Sequence, residues 1–175
     1  AVRGRTVAVV EHRRPVELVN LYAAHDRTTR KLVVVPVVVD GEPNPFGGRL
    51  DPEPAEARRD RRDRRRRRYA TPRRVEVVHH LDDEDLLPAI VFVFSRRGCD
   101  DAARTLHESG TVLTEPEERR RIRAIVAAHT AGLSDEDLDV LGFHRWRAGL
   151  EAGIAAHHAG MVPPFKEAVE ACFVA

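Results

Sequence analysis

The chain contains no glutamine and only two asparagines, Asn20 and Asn44. Lysine is nearly absent as well: Lys31 and Lys166 are the only two among 29 basic residues, so 27 are arginine. This is drift toward Arg, Ala and Val, as in a GC-rich coding sequence, and it describes the source rather than the function. Cysteine is scarce. Cys99 and Cys172 cannot build a disulfide framework or an all-cysteine zinc site, and a reduced, cytoplasmic protein is the default expectation. Aromatic residues make up 5% of the chain, too few for base stacking to be the main binding mode. Long apolar runs are also missing. Leu32–Val39 has eight residues, where a membrane span needs about twenty. No N-terminal stretch has the order of a signal peptide, and no membrane association is expected.

What is present is charge, in near balance. The 29 basic and 28 acidic residues leave a formal +1, which excludes a uniformly basic coat and a uniformly acidic tail. The total hides a division. Residues 58–68 (RRDRRDRRRRR) hold nine Arg and two Asp, a local +7. Residues 69–175 are net negative by six. The chain starts at Ala1 and stops at Ala175 inside a helical pattern with no Gly or Asn cap. It reads as a piece of a longer protein.

Residues 5–10 (RTVAVV) and 15–22 (PVELVNLY) have strand patterns. Leu32–Val39 is a third apolar run, which Pro36 demotes to an edge strand or a non-strand. Residues 40–57 hold four prolines and three glycines and read as loop. Like charges repel along the Arg run, so a disordered or weakly helical arm is expected there. Residues 73–79 (RRVEVVH) are a further strand candidate. Leu86–Phe94 (LLPAIVFVF) reads as a strand buried on both faces. Ser95-Arg96-Arg97-Gly98 then turns into a helix over Cys99–Glu108. Thr114-Glu115-Pro116-Glu117 predicts a capped helix running to about Thr130, with Ile122, Ile125 and Val126 on one face. Asp83-Glu84 and Asp135-Glu136 read as helix starts. Residues 153–156 (GIAA) predict a short strand. A last helix begins near Pro164 and buries Phe165, Val169, Cys172 and Phe173. Strand-turn-helix units of this kind build a parallel α/β sheet.

Ligands of such sheets bind where strands end and helices begin. Two loops here have that position: Ser95–Gly98 and His157–Pro163. Each offers backbone N–H groups at a helix start, which suit an anion. The first adds a hydroxyl and two guanidiniums, the second two imidazoles and a glycine. Phosphate recognition is the joint reading. The plainer alternatives are an N-cap for Ser95 and a solvated turn for Arg96 and Arg97. His157 and His158 are adjacent, so on a strand they point to opposite faces, and no metal site is expected from them or from His79-His80. Cys99 fits a small apolar role better than a nucleophile. Neither lysine is preceded by glycine, so the chain has no Gly-Lys-[Ser/Thr] loop. No catalytic residue is assigned.

Residues 86–103 (LLPAIVFVFSRRGCDDAA) resemble the fourth motif of superfamily-two DExH-box helicases of the superkiller and exosome-associated type. Residues 153–173 (GIAAHHAGMVPPFKEAVEACF) resemble the next signature of the same family, Gly-Ile-x-x-His-His-[Ala/Gly]-Gly, then Lys-Glu-x-x-Glu-x-x-Phe. The stretches EPEERRRIR and LSDEDLDVLG and the opening HRRPVELVNLY look like the large actinobacterial helicases of this family. The resemblance covers residues 1–35 and 73–175.

It implies an α/β fold with a partial RecA-like parallel sheet of the P-loop NTPase type. Residues 1–35 would be the end of a first RecA-like domain with its connector. Residues 36–72 would be a flexible Pro/Gly- and Arg-rich insertion, and 73–175 the N-terminal half of a second RecA-like domain. It further implies that Ser95, Arg96, Arg97, His157, His158 and Gly160 line or brace a nucleic-acid path, Arg96 by charge, Gly160 by its backbone N–H, and the histidines by orienting the loop. The partner would be single-stranded nucleic acid, RNA before DNA. ATP and Mg would be cofactors of the whole helicase and not of this chain. The first RecA-like domain, with its Walker loop and DExH box, and the later arginine-finger motif are missing, so the chain alone should be inactive. The alternative is a standalone α/β nucleic-acid-binding module working through its Arg-rich arm, with steeply salt-dependent affinity.

Overall fold

A computed structural model describes residues 16, 18–50 and 68–175. The strand expected over 5–10 and the Arg run up to residue 67 lie outside the described residues. The chain divides into two compact units, Ala1–Pro72 and Arg73–Ala175.

The first unit is built on an antiparallel hairpin. Strand β1 (Leu21–Asp26) pairs with β2 (Lys31–Pro36) from Leu21↔Pro36 to Asp26↔Lys31. Its tight turn is organised by Asp26. One carboxylate oxygen accepts the Thr28 N–H at 2.8 Å and the Thr29 N–H at 3.4 Å. The other accepts both Nε (3.0 Å) and Nη2 (2.8 Å) of Arg68. Asp26 is 2% exposed, and this full set of donors is what allows a carboxylate to be buried. The Arg68 guanidinium, with the two backbone N–H groups, holds the Asp26 carboxyl well below the usual carboxylate range.

Pro36 ends β2, which lies at the sheet's edge in the order β2-β1-β5. A proline there leaves no ladder bond unmade. The stretch expected as loop holds a small ribbon instead. Strands β3 (Val38–Val39) and β4 (Glu42–Pro43) pair across Asp40-Gly41. Both turn residues have positive φ, 53° and 80°, and Asp-Gly suits such a two-residue turn. A short helix α1 (Gly47–Leu50) follows, and β5 (Tyr69–Ala70) pairs with the end of β1.

The second unit is helical: α2 (Arg74–Asp83), α3 (Arg96–Glu108), α4 (Pro116–Thr130), α5 (Asp135–Val140), α6 (Phe143–Glu151) and α7 (Pro163–Val174). Its core joins Ile122 and Val126 of α4, Phe143 and Leu150 of α6 and Phe165 of α7. Trp146 stacks on Phe165 at 4.1 Å between ring centroids. Cys172 packs against this core, and burial pushes its thiol pKa up. Phe173, expected inside, is exposed.

Several local expectations need correction. Residues 73–79 form a helix, not a strand. Glu76 braces its start: one carboxylate oxygen accepts the Arg73 N–H at 3.1 Å, and the other accepts the Arg73 guanidinium Nη2 at 2.8 Å. Val75, Val78 and Leu81 stand at three-residue spacing, which serves one side of a helix as well as alternation serves a strand. Asp83-Glu84 ends that helix instead of starting one. The α4 cap is Glu115 with Glu118, one residue later than expected. Thr114 instead donates its hydroxyl to the Glu151 carbonyl at 2.6 Å.

The apolar run 86–94 is not a paired strand, and Ile90 and Phe92 are 65% and 88% exposed. A strand exists only through a neighbour that takes its N–H and C=O groups, and none of the described residues pairs with it. Residues 152–156 likewise lack a ladder. They do show alternating burial, with Ala152, Ile154 and Ala156 inside. The architecture is therefore mixed α/β with small antiparallel sheets and a helical unit.

Candidate nucleic-acid interface

Ser95 sits immediately before α3 in an extended conformation and caps it. Its Oγ accepts the Gly98 N–H at 3.0 Å. The plainer alternative for this residue is thus what its side chain does in the folded chain. A side chain at Gly98 would lie 2.7 Å from that Oγ, so glycine leaves room for the cap. Arg96 and Arg97 open the helix on its exposed end. Arg97 is 94% exposed and reaches Asp101 only at 3.8 Å.

The second loop comes directly against this turn. His158 Nε2 lies 2.9 Å from Asp100 Oδ1 of α3, a contact spanning 58 residues of sequence. The Gly160 N–H donates to His158 Nδ1 at 3.2 Å. A side chain on Gly160 would meet Arg96 Cδ at 3.1 Å and Nη1 at 3.4 Å, so the arginine's stem lies across the bare glycine. Cys99 is half-buried beside the same loop, its Sγ 3.9 Å from the His157 carbonyl. Asp100, His158 and Gly160 also help to line a cleft of about 270 Å³ together with Trp146, Met161 and Phe165.

His157 and His158 diverge as adjacent residues on an extended segment must. His157 Nε2 lies 2.8 Å from Glu170 Oε1 on α7. The His157 contact, helped by Lys166 at 3.8 Å, holds the Glu170 carboxyl below its ordinary range. Three of the six expected residues are therefore brought into one cluster: Arg96, His158 and Gly160. Ser95 stands one residue away as the cap. Arg97 stands exposed beside Asp101, and His157 turns to Glu170. The Gly160 N–H, expected to meet a phosphate, is taken by the His158 imidazole. Gly160 serves the cluster by having no side chain.

Asp100 and Glu170 were not singled out by sequence reasoning. Glu170 carried a signal in its four-residue spacing from Lys166. Asp100 carried none, because its partner is 58 residues away. Among the described residues no three His, Cys, Asp or Glu side chains come together as a metal would need. No described helix is long and apolar enough to cross a membrane.

A helix start and a His-His-Ala-Gly loop thus meet within the helical unit of a mixed α/β chain. The chain is a relative of the SKI2-like DExH-box helicases. It is 51% identical over 107 residues to the protein named Probable helicase HelY in Mycobacterium tuberculosis, a match covering 61% of this chain and 12% of that protein. It is 36% identical over 98 residues to the Antiviral helicase SKI2 of Saccharomyces cerevisiae, covering 56% of this chain and 8% of that one. It is 36% identical over 107 residues to the DExH-box ATP-dependent RNA helicase DExH11 of Arabidopsis thaliana, covering 61% and 8%. The chain thus spans about an eighth of these relatives' length or less. No protein-family model and no solved structure matches it.

Proposed function

We propose that the chain is a segment of an ATP-dependent helicase acting on RNA, with DNA as the second choice, and that the turn at Ser95–Arg97 and the loop at His157–Gly160 form one contact to the phosphates of a single strand. The observation that carries this reading is the packing of Arg96 across Gly160, which joins two motifs distant in sequence. Arg96 and Arg97 supply charge at the positive end of α3, where backbone N–H groups add to it. Ser95 holds that turn in place, and His157 and His158 orient the loop.

ATP and Mg²⁺ belong, in this reading, to the rest of the helicase. This chain's residues do not fit them, since no lysine follows a glycine, and alone it is inactive. The parallel RecA-like sheet also belongs to the whole domain. The exposure of Ile90 and Phe92 and the alternating burial at 152–156 support strands awaiting neighbours at both places. A cytoplasmic location goes with this reading.

The test uses the full-length helicase carrying this chain. Single strands should stimulate its ATPase, and Arg96→Ala combined with Gly160→Val should abolish most of that stimulation while leaving the unstimulated rate in place. Full stimulation in the double variant contradicts the assignment.

A further inference from the structure

We propose that Asp100 and His158 are positioning residues for the strand contact: together they fix the Gly160 backbone and so hold the Arg96 guanidinium on the exposed face. The inference rests on the strand-contact reading above.

The hydrogen bonds fix the chemistry of the pair. The Gly160 N–H is a donor, so His158 Nδ1 must present a lone pair. The imidazole proton is then on Nε2, and it points to the Asp100 carboxylate at 2.9 Å. His158 thus has a donor facing Nδ1 and an acceptor facing Nε2. Its side chain is 15% exposed, so these two partners replace most of the water it would otherwise have. Arg96 lies across the glycine that this imidazole restrains, 3.1 Å from where a side chain would begin. Among the described residues the Arg96 guanidinium makes no ion pair, and its charge is left for an outside anion. The contacts thus run from α3 through the imidazole to the loop backbone and return to α3 at Arg96, four residues before Asp100. Asp100 touches no ligand in this scheme. It acts through His158.

The sign of one substitution separates positioning from plain charge. Asp100 is an anion beside a phosphate contact. If it acted only by its charge, removing it would tighten strand binding. If it positions the loop, removing it loosens binding although net positive charge rises.

The experiment measures the affinity of a short fluorescein-labelled oligouridine for the full-length helicase by anisotropy, with side-chain ¹⁵N spectra of the same histidine-labelled full-length helicase beside it. We expect Asp100→Ala and His158→Ala each to weaken binding about tenfold, as loss of an orienting partner does at other built sites. The pair of changes together should cost little more than either alone, because both break one chain of contacts. Asp100→Asn keeps an acceptor oxygen for the Nε2–H and should recover most of the affinity. The spectra should show His158 Nδ1 unprotonated and Nε2 protonated, and Asp100→Ala should lose that preference.

Tighter or unchanged binding in Asp100→Ala, while Arg96→Ala weakens it, overturns the positioning role and leaves the strand contact standing. Unchanged binding in Arg96→Ala overturns the strand contact itself. Should Asp100→Ala fail to fold, the wild-type spectrum decides. A proton on Nδ1 of His158 overturns the inference, and one on Nε2 with recovery in Asp100→Asn upholds it.

Discussion

At the scale of single residues, two carboxylates, Asp26 and Asp100, hold partners far away in sequence, and neither was visible as important in it. Asp26 is buried inside the first unit because four donors surround it, two from the backbone and two from Arg68. Its partner is 42 residues away, so no local pattern announces the pair. The consequence for pH has a definite sign. The folded carboxyl is held below its ordinary range. Its contribution to stability is therefore fully present above the usual carboxylate range and is lost as pH falls toward the depressed folded value. The thermal midpoint of the wild type should exceed that of Asp26→Asn at neutral pH. The gap should narrow steadily below the usual carboxylate range. A gap that is constant with pH would mean that ionised Asp26 is not what holds the turn.

What the sequence did reveal at this scale was chemistry of a short-range kind. The turn at Ser95 was expected to lead into a helix from Cys99, with an N-cap as the plainer role for the serine; the cap is there, and the helix starts at Arg96. Adjacency of His157 and His158 argued that they diverge, and they do, toward Glu170 and Asp100.

At the scale of elements, α3 depends on a glycine where a helix normally prefers alanine. Alanine at an uncontacted helical position gains about 1 kcal/mol over glycine. At Gly98 the new methyl would stand 2.7 Å from Ser95 Oγ and 3.1 Å from Val93 Cγ1, displacing a cap that is worth about 1 kcal/mol. We expect the lost cap to cancel the propensity gain, so that Gly98→Ala shows about 0 kcal/mol of stabilisation in place of about 1 kcal/mol. Urea unfolding followed by the fluorescence of Trp146, the single tryptophan, reads this directly. A stabilised variant would show that the cap moves freely aside.

Helices with capping residues were legible to within a residue or two: α4 and α5 both begin close to their predicted starts. Strands were less so. The Val-rich stretch 73–79 fits alternation and helical spacing equally well. The Arg73–Glu76 cap tips it to a helix. The run 86–94 has the composition of a buried strand, but composition supplies no hydrogen-bonding neighbour. The Asp40-Gly41 turn could have been found from its dipeptide alone, but the surrounding prolines hid it.

At the scale of the whole molecule, the formal charge of +1 says little. Contact with a polyanion rests on where a few guanidiniums stand. In the proposed reading they stand at the start of α3, where the loop 157–160 lies against Arg96. The family relationship was legible from two motifs quoted residue by residue. The way those motifs touch was not, because it lies in tertiary contacts 58 residues apart.

The central claim is that these two loops are one site for strand phosphates. Its most direct test is the salt dependence of single-strand affinity in the full-length helicase, compared with that of an Arg96→Ala, Arg97→Ala variant. For single strands the slope of log affinity against log salt becomes shallower by about 0.7 for each phosphate that the protein no longer neutralises. The account predicts a slope shallower by about 1.4 in the double variant. An unchanged slope, whatever happens to the affinity at one salt concentration, would contradict it.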